Sequence, residues 1–140
     1  MNRTSSLILL LLGAISLDAQ MMTVKEYREM KDTLDKGKHD PTYPQAAMTF
    51  DLYIQGIGDG FAWANAELQI SDHQRLYCVP EKLAVTSENY QQLIASFLPR
   101  LTRKVHWPLH NWQSVDEVPV GFVLLEALID AFPCGARPRQ

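Results

Sequence analysis

Beyond residue 22 the apolar positions recur at three- and four-residue steps, a period that predicts helices rather than strands. Thr23-Val24-Lys25-Glu26 has the spacing of a capping box, in which the Thr23 hydroxyl accepts from the Glu26 amide and the Glu26 carboxylate reaches back to the cap. A first helix should run from there to Asp35 or Lys36, with Tyr27, Met30 and Leu34 on one stripe and Gly37 at the stop. Lys38 to Pro44 holds two prolines and is predicted as a turn. From about Gln45 to Gln69, the residues Phe50, Tyr53, Ile54, Ile57, Phe61, Ala64 and Leu68 fall on one side of a second helix.

Thr86-Ser87-Glu88 opens a third helix whose stripe is Tyr90, Leu93, Ile94, Phe97 and Leu101, and Pro99 is expected to kink or end it near Leu98. A fourth begins around Val118-Pro119-Val120, where proline in the first turn needs no amide donor, and stops at Pro133. Phe122, Val123, Leu125, Leu128, Ile129 and Phe132 give it so broad an apolar face that it is predicted to be the central helix. No period-two segment has the length of a useful strand, although Leu76–Val79 or Lys104–Trp107 could pair locally. The expected fold is all-α, a small bundle of about four helices with one disulfide.

The start of the chain follows a different rule. Arg3, the apolar run Leu7 to Ile15 and the small residue Ala19 before Gln20 match a secretory signal, giving residues 1–19 as a signal peptide and 20–140 as the mature helical domain. The apolar run of nine residues is too short to span a bilayer as a helix, which takes roughly 20. An uncleaved anchor is the alternative. Export places the mature chain outside the cytosol with no membrane contact after cleavage. Its length, about 121 residues, fits one domain, and its net charge stays at −3. Clustered basic residues and a high isoelectric point are missing, which argues against a nucleic-acid partner.

Outside the cytosol, two lone cysteines are expected to oxidise to each other, and Cys78 and Cys134 are the only ones present. A bridge closing 55 intervening residues stabilises by about 4 kcal/mol in the chain-entropy model. The rival, a catalytic cysteine with a histidine base, lacks the cationic surroundings that favour a thiolate. Gly56-Ile57-Gly58-Asp59-Gly60 costs roughly 1 kcal/mol per glycine inside a helix. A phosphate-cradling loop would need a preceding strand and a glycine at Phe61, so Gly56 and Gly60 are assigned to close helix packing.

His106 and His110 have the spacing of a helical metal pair, but Pro108 lies between them, and His39 and His73 stand apart; no metal, cofactor or catalytic residue is assigned. The segment Val105 to Glu117 instead combines two tryptophans with polar neighbours. Its candidate partner-binding residues are His106, Trp107, His110, Asn111, Trp112 and Asp116, with Trp112 as the principal anchor. The competing arrangement folds Trp107 and Trp112 back as a lid on the core.

Three stretches carry a resemblance: Leu52 to Gly60, Tyr77-Cys78-Val79-Pro80, and Leu124 to Cys134 with its terminal Phe-Pro-Cys. In their order, and with the third helix between them, they resemble the Rap/Tai family of immunity proteins associated with type VI secretion. The resemblance implies a periplasmic, mostly helical protein that is not an enzyme and that, like the helical dimers of the family, could pair with a second copy. Its partner would be a cognate toxin, a peptidoglycan amidase whose cleft it blocks. The chain differs in lacking a further cysteine pair near its N-terminus, and its tryptophan-bearing segment is longer. Two other classes remain open: a general binding protein of the cell envelope, and a hydrolase using Cys78 or a metal at His106 and His110.

Overall fold

The computed structural model describes residues 21–80, 83–104 and 112–135. They form a small all-α bundle of four helices: α1 (Val24–Lys36), α2 (Tyr43–Ile70), α3 (Ser87–Lys104) and α4 (Val120–Ala131), with a 3-10 turn at Val115–Glu117. Cys78 and Cys134 are joined.

Local chemistry starts each helix. At α1 both halves of the capping box form: the Glu26 amide donates to Thr23 Oγ1 at 3.3 Å, and the Thr23 amide donates to Glu26 Oε2 at 2.8 Å. That backbone hydrogen bond, more than the one from the Thr23 hydroxyl, holds the Glu26 carboxyl below its usual range. Tyr27 and Leu34 are buried as expected, whereas Met30 of the same predicted stripe is exposed and Val24 takes the inward place. The turn before α2 is shorter than predicted. Tyr43 and Pro44 already belong to the helix, because a proline in the first turn loses no helical hydrogen bond.

Of the two expectations for Pro99, a kink or an end, the end is not met: α3 runs through Pro99 to Lys104. An interior proline costs about 3 kcal/mol. Here Pro99 itself is exposed while Leu98 and Leu101 on either side are buried, and α3 against α4 is the most extensive helix contact in the bundle. Burial on α4 therefore outweighs the missing bond. α4 is central as predicted: Val120, Val123 and Leu124 have no exposed surface. Arg100 of α3 pairs with Asp130 of α4 at 2.6 Å on the outside of this contact.

An isolated antiparallel bridge joins Thr23 and Pro119. The Val24 amide donates to the Val118 carbonyl and the Val120 amide to the Met22 carbonyl, each at 2.8 Å, so the start of α1 is clasped to the start of α4. The Met22 amide also donates to the Tyr53 hydroxyl at 2.9 Å, which ties this clasp to α2.

Candidate interaction surface

Residues 71–80 leave α2 and turn back along it without forming a strand, and Asn65 explains how they are held. This buried side chain accepts from the Leu76 amide and donates to the Tyr77 carbonyl, both at 2.8 Å, and so replaces the ladder that a paired strand would have. The Cys78 amide donates to the Phe132 carbonyl at 2.7 Å, next to the disulfide that fixes the same two segments. The Asn65 clamp has a sequence signal in retrospect: a polar residue set in phase with Phe50, Ile54 and Phe61 on the inward side of an apolar helix.

The residues expected to meet a partner separate. His106, Trp107, His110 and Asn111 lie outside the described residues. Trp112 takes the lid arrangement rather than that of a projecting anchor: it is half-buried, packed on the core, with its ring 5.2 Å from that of Phe122. A large aromatic beside the broad apolar face of α4 gains more by covering it than by standing in water. Asp116 is exposed and pairs with Arg28 of α1 at 2.5 Å. Among the described residues no group of three or more His, Cys, Asp or Glu side chains is placed to hold a metal ion.

The glycine assignment needs a correction. A Cβ at Gly56 or Gly60 would meet nothing within 4 Å, whereas one at Gly58 would collide with the ring of Tyr90 from α3. The close approach belongs to Gly58. Two residues along a helix turn the side-chain direction by about 200°, so Gly58 faces inward and its two neighbours in the motif face outward. α2 continues unbroken through all of them, and no glycine has positive φ among the described residues, which leaves no phosphate-cradling loop there.

On that outer side of α2 lies the largest set of exposed apolar side chains in the described part of the chain. Met48 is 64% exposed, Leu52 61%, Trp63 78% and Ile70 80%. With Gly56 and Gly60 between them they form one stripe about 33 Å long. The two glycines leave a shallow notch at its middle, where another surface can come close to the helix backbone. The charges on this 28-residue helix are Asp51, Asp59 and Glu67, with no basic residue among them. Each carboxylate is held by a neighbour: Asp51 accepts from Gln91, Asp59 from Gln55, and Glu67 from Ser71.

Compared with family models, with curated proteins and with solved structures, the chain matches none of them.

Proposed function

We propose that this chain is an exported binding protein of immunity type, which occupies a peptidoglycan amidase delivered through type VI secretion and blocks its cleft without performing chemistry. The observation that carries the reading is the outer stripe of α2. A helix that is apolar on all sides is ordinarily buried on all sides. In α2 the inner face is covered by α3 and α4, while Met48, Leu52, Trp63 and Ile70 are left to solvent, so the helix is built to be covered by something else. Trp63 has the size and the amphipathic character of an interface anchor. The disulfide supports the same reading, since a bundle braced by a covalent link loses little freedom on docking.

The charge pattern favours a foreign partner over a second copy. A two-fold pairing of α2 with itself at the glycine notch would bring two acid-only helices together and set Asp59 near its own image. A toxin surface with an apolar ridge bordered by lysine or arginine has no such cost. The alternative of a general envelope binding protein shares the stripe and differs in the partner.

Protein purified from the envelope of cells expressing the full chain, added to the amidase encoded by the neighbouring gene, is expected to stop hydrolysis of purified peptidoglycan. Unchanged hydrolysis at saturating protein would overturn the reading. Trp63→Glu is expected to weaken inhibition by about 2 kcal/mol or more, roughly thirtyfold in Kd, with an unchanged melting temperature. Inhibition that survives Trp63→Glu would move the docking site off α2, and a dimer dissolved by the same substitution would make the stripe a self-contact.

A further inference from the structure

A second feature, distinct from the stripe, is a cavity of about 360 Å³ between α2, α3 and the 75–79 connection. That volume lies at the lower end of the ~300–1,000 Å³ usual for small-ligand sites. Its lining is uneven in a way that core packing does not require. The floor is aliphatic, with Val79, Val85 and Leu128. Its polar groups are Asp59 and Gln69 from α2, Arg75 from the connection, and the phenols of Tyr77 and Tyr90, in addition to Asn65, whose amide is already spent on the backbone clamp.

Asp59 accepts from Gln55 through one carboxylate oxygen, and the charged and phenolic groups are otherwise unpartnered among the described residues. Tyr77 is 4% exposed and Tyr90 5%, yet neither hydroxyl has a hydrogen-bond partner among the described residues. Of the buried hydroxyls only that of Tyr27 is both unpartnered and sealed from solvent, so the phenols of Tyr77 and Tyr90 open onto the cavity they line. The Arg75 guanidinium and the Asp59 carboxylate form no ion pair with each other or with any described residue. Asp59 nonetheless lies close enough to Tyr90 to help burial raise its phenol above the ordinary range, and Tyr90 does the same to Tyr77. The Tyr90 ring is seated directly over the Gly58 backbone, which fixes one wall.

We propose that this cavity binds a small zwitterion of amino-acid to dipeptide size. The Asp59 carboxylate suits an ammonium group and the Arg75 guanidinium suits a carboxylate, in the bidentate arrangement that arginine favours. Two buried phenols can donate to or accept from a peptide group between them, and the aliphatic floor suits a short apolar side chain. An anion alone would meet Asp59 and a cation alone would meet Arg75, so opposite charges on one ligand satisfy the site best. The inference does not depend on the amidase reading, since it is carried by the cavity and not by the stripe, which Asp59 also borders.

The test is titration of the full-chain protein with alanyl-alanine, in both configurations, followed by the aromatic NMR signals of the tyrosines. Saturable shifts of Tyr77 and Tyr90 are expected, with a Kd of about 1 mM or tighter. N-acetylation or C-amidation of the dipeptide should each weaken binding about tenfold. Arg75→Gln should remove the preference for the free carboxylate, and Asp59→Asn the preference for the free amine. Both residues are exposed, so the variants are expected to melt like the parent. Tyr90→Phe keeps the ring over Gly58 and should weaken binding through its hydroxyl alone. Absence of any shift at several millimolar, or shifts that survive Arg75→Gln and Asp59→Asn together, would overturn the site.

Discussion

The two sides of α2 are nearly equal in apolar character and opposite in fate. Its inner side, Phe50, Ile54 and Gly58, is covered by α1, α3 and α4, and its outer side, Leu52, Gly56, Gly60 and Trp63, faces water. Composition does not separate them. What does is the phase of each residue against α3: Gly58 accepts the Tyr90 ring, and every residue half a turn away is left outside. An exposed apolar stripe on a helix is thus a statement about missing neighbours, which is why the interaction surface is placed here.

The sharpest way to break that contrast is to truncate one residue on each side. Ile54→Ala, at a position with no exposed surface, should cost roughly 2–5 kcal/mol in denaturant unfolding, while Leu52→Ala should stay within about 0.5 kcal/mol of the parent. Equal losses would mean that the outer stripe is packed in solution. The glycines sharpen it further. Gly58→Ala drives a methyl into Tyr90 and should destabilise by roughly 1–3 kcal/mol, whereas Gly60→Ala meets open space and should stabilise the helix by up to about 1 kcal/mol. A destabilising Gly60→Ala would return the close contact to the face first assigned to it.

The tryptophans repeat the comparison at smaller scale. Trp112→Ala should cost about 1–2 kcal/mol through its lost cover on Phe122, and Trp63→Ala should leave the melting temperature where it is. The smallest effect concerns alkaline pH. Burial pushes the Tyr27 phenol up to about 12, and burial with the nearby Tyr90 does the same for Tyr77. The fold therefore favours their neutral forms. Their contribution is complete below the ordinary phenol value near 10 and is lost as the pH rises through about 12. Ultraviolet titration should show part of the tyrosine absorbance change delayed until the helical signal falls. Ionisation of all five tyrosines near pH 10 with the helices intact would contradict it.

Much of this was legible in the residues because it is local. Thr23 and Glu26 act within one turn, the broad apolar face of α4 needs no partner to be recognised, and two cysteines leave one pairing. The parts misread all depend on a distant surface. Pro99 stays helical because of what Leu98 and Leu101 touch on the far side of the interface. The packing glycine is Gly58, yet its spacing from Gly56 and Gly60 gives no direction until the phase set by Phe50, Ile54 and Asn65 is followed through it. Trp112 turns inward for the same kind of reason, since Phe122, ten positions along the chain, supplies the surface it covers.

The link between Cys78 and Cys134 has a topological consequence beyond its contribution to stability. Its sequence separation of 56 makes a covalent ring that contains α3, the 3-10 turn and α4. A protease that cuts once within the ring opens it without releasing either part. The severed molecule keeps its mass apart from one added water, keeps α2 tethered to α4, and separates into two pieces only after a reductant has acted.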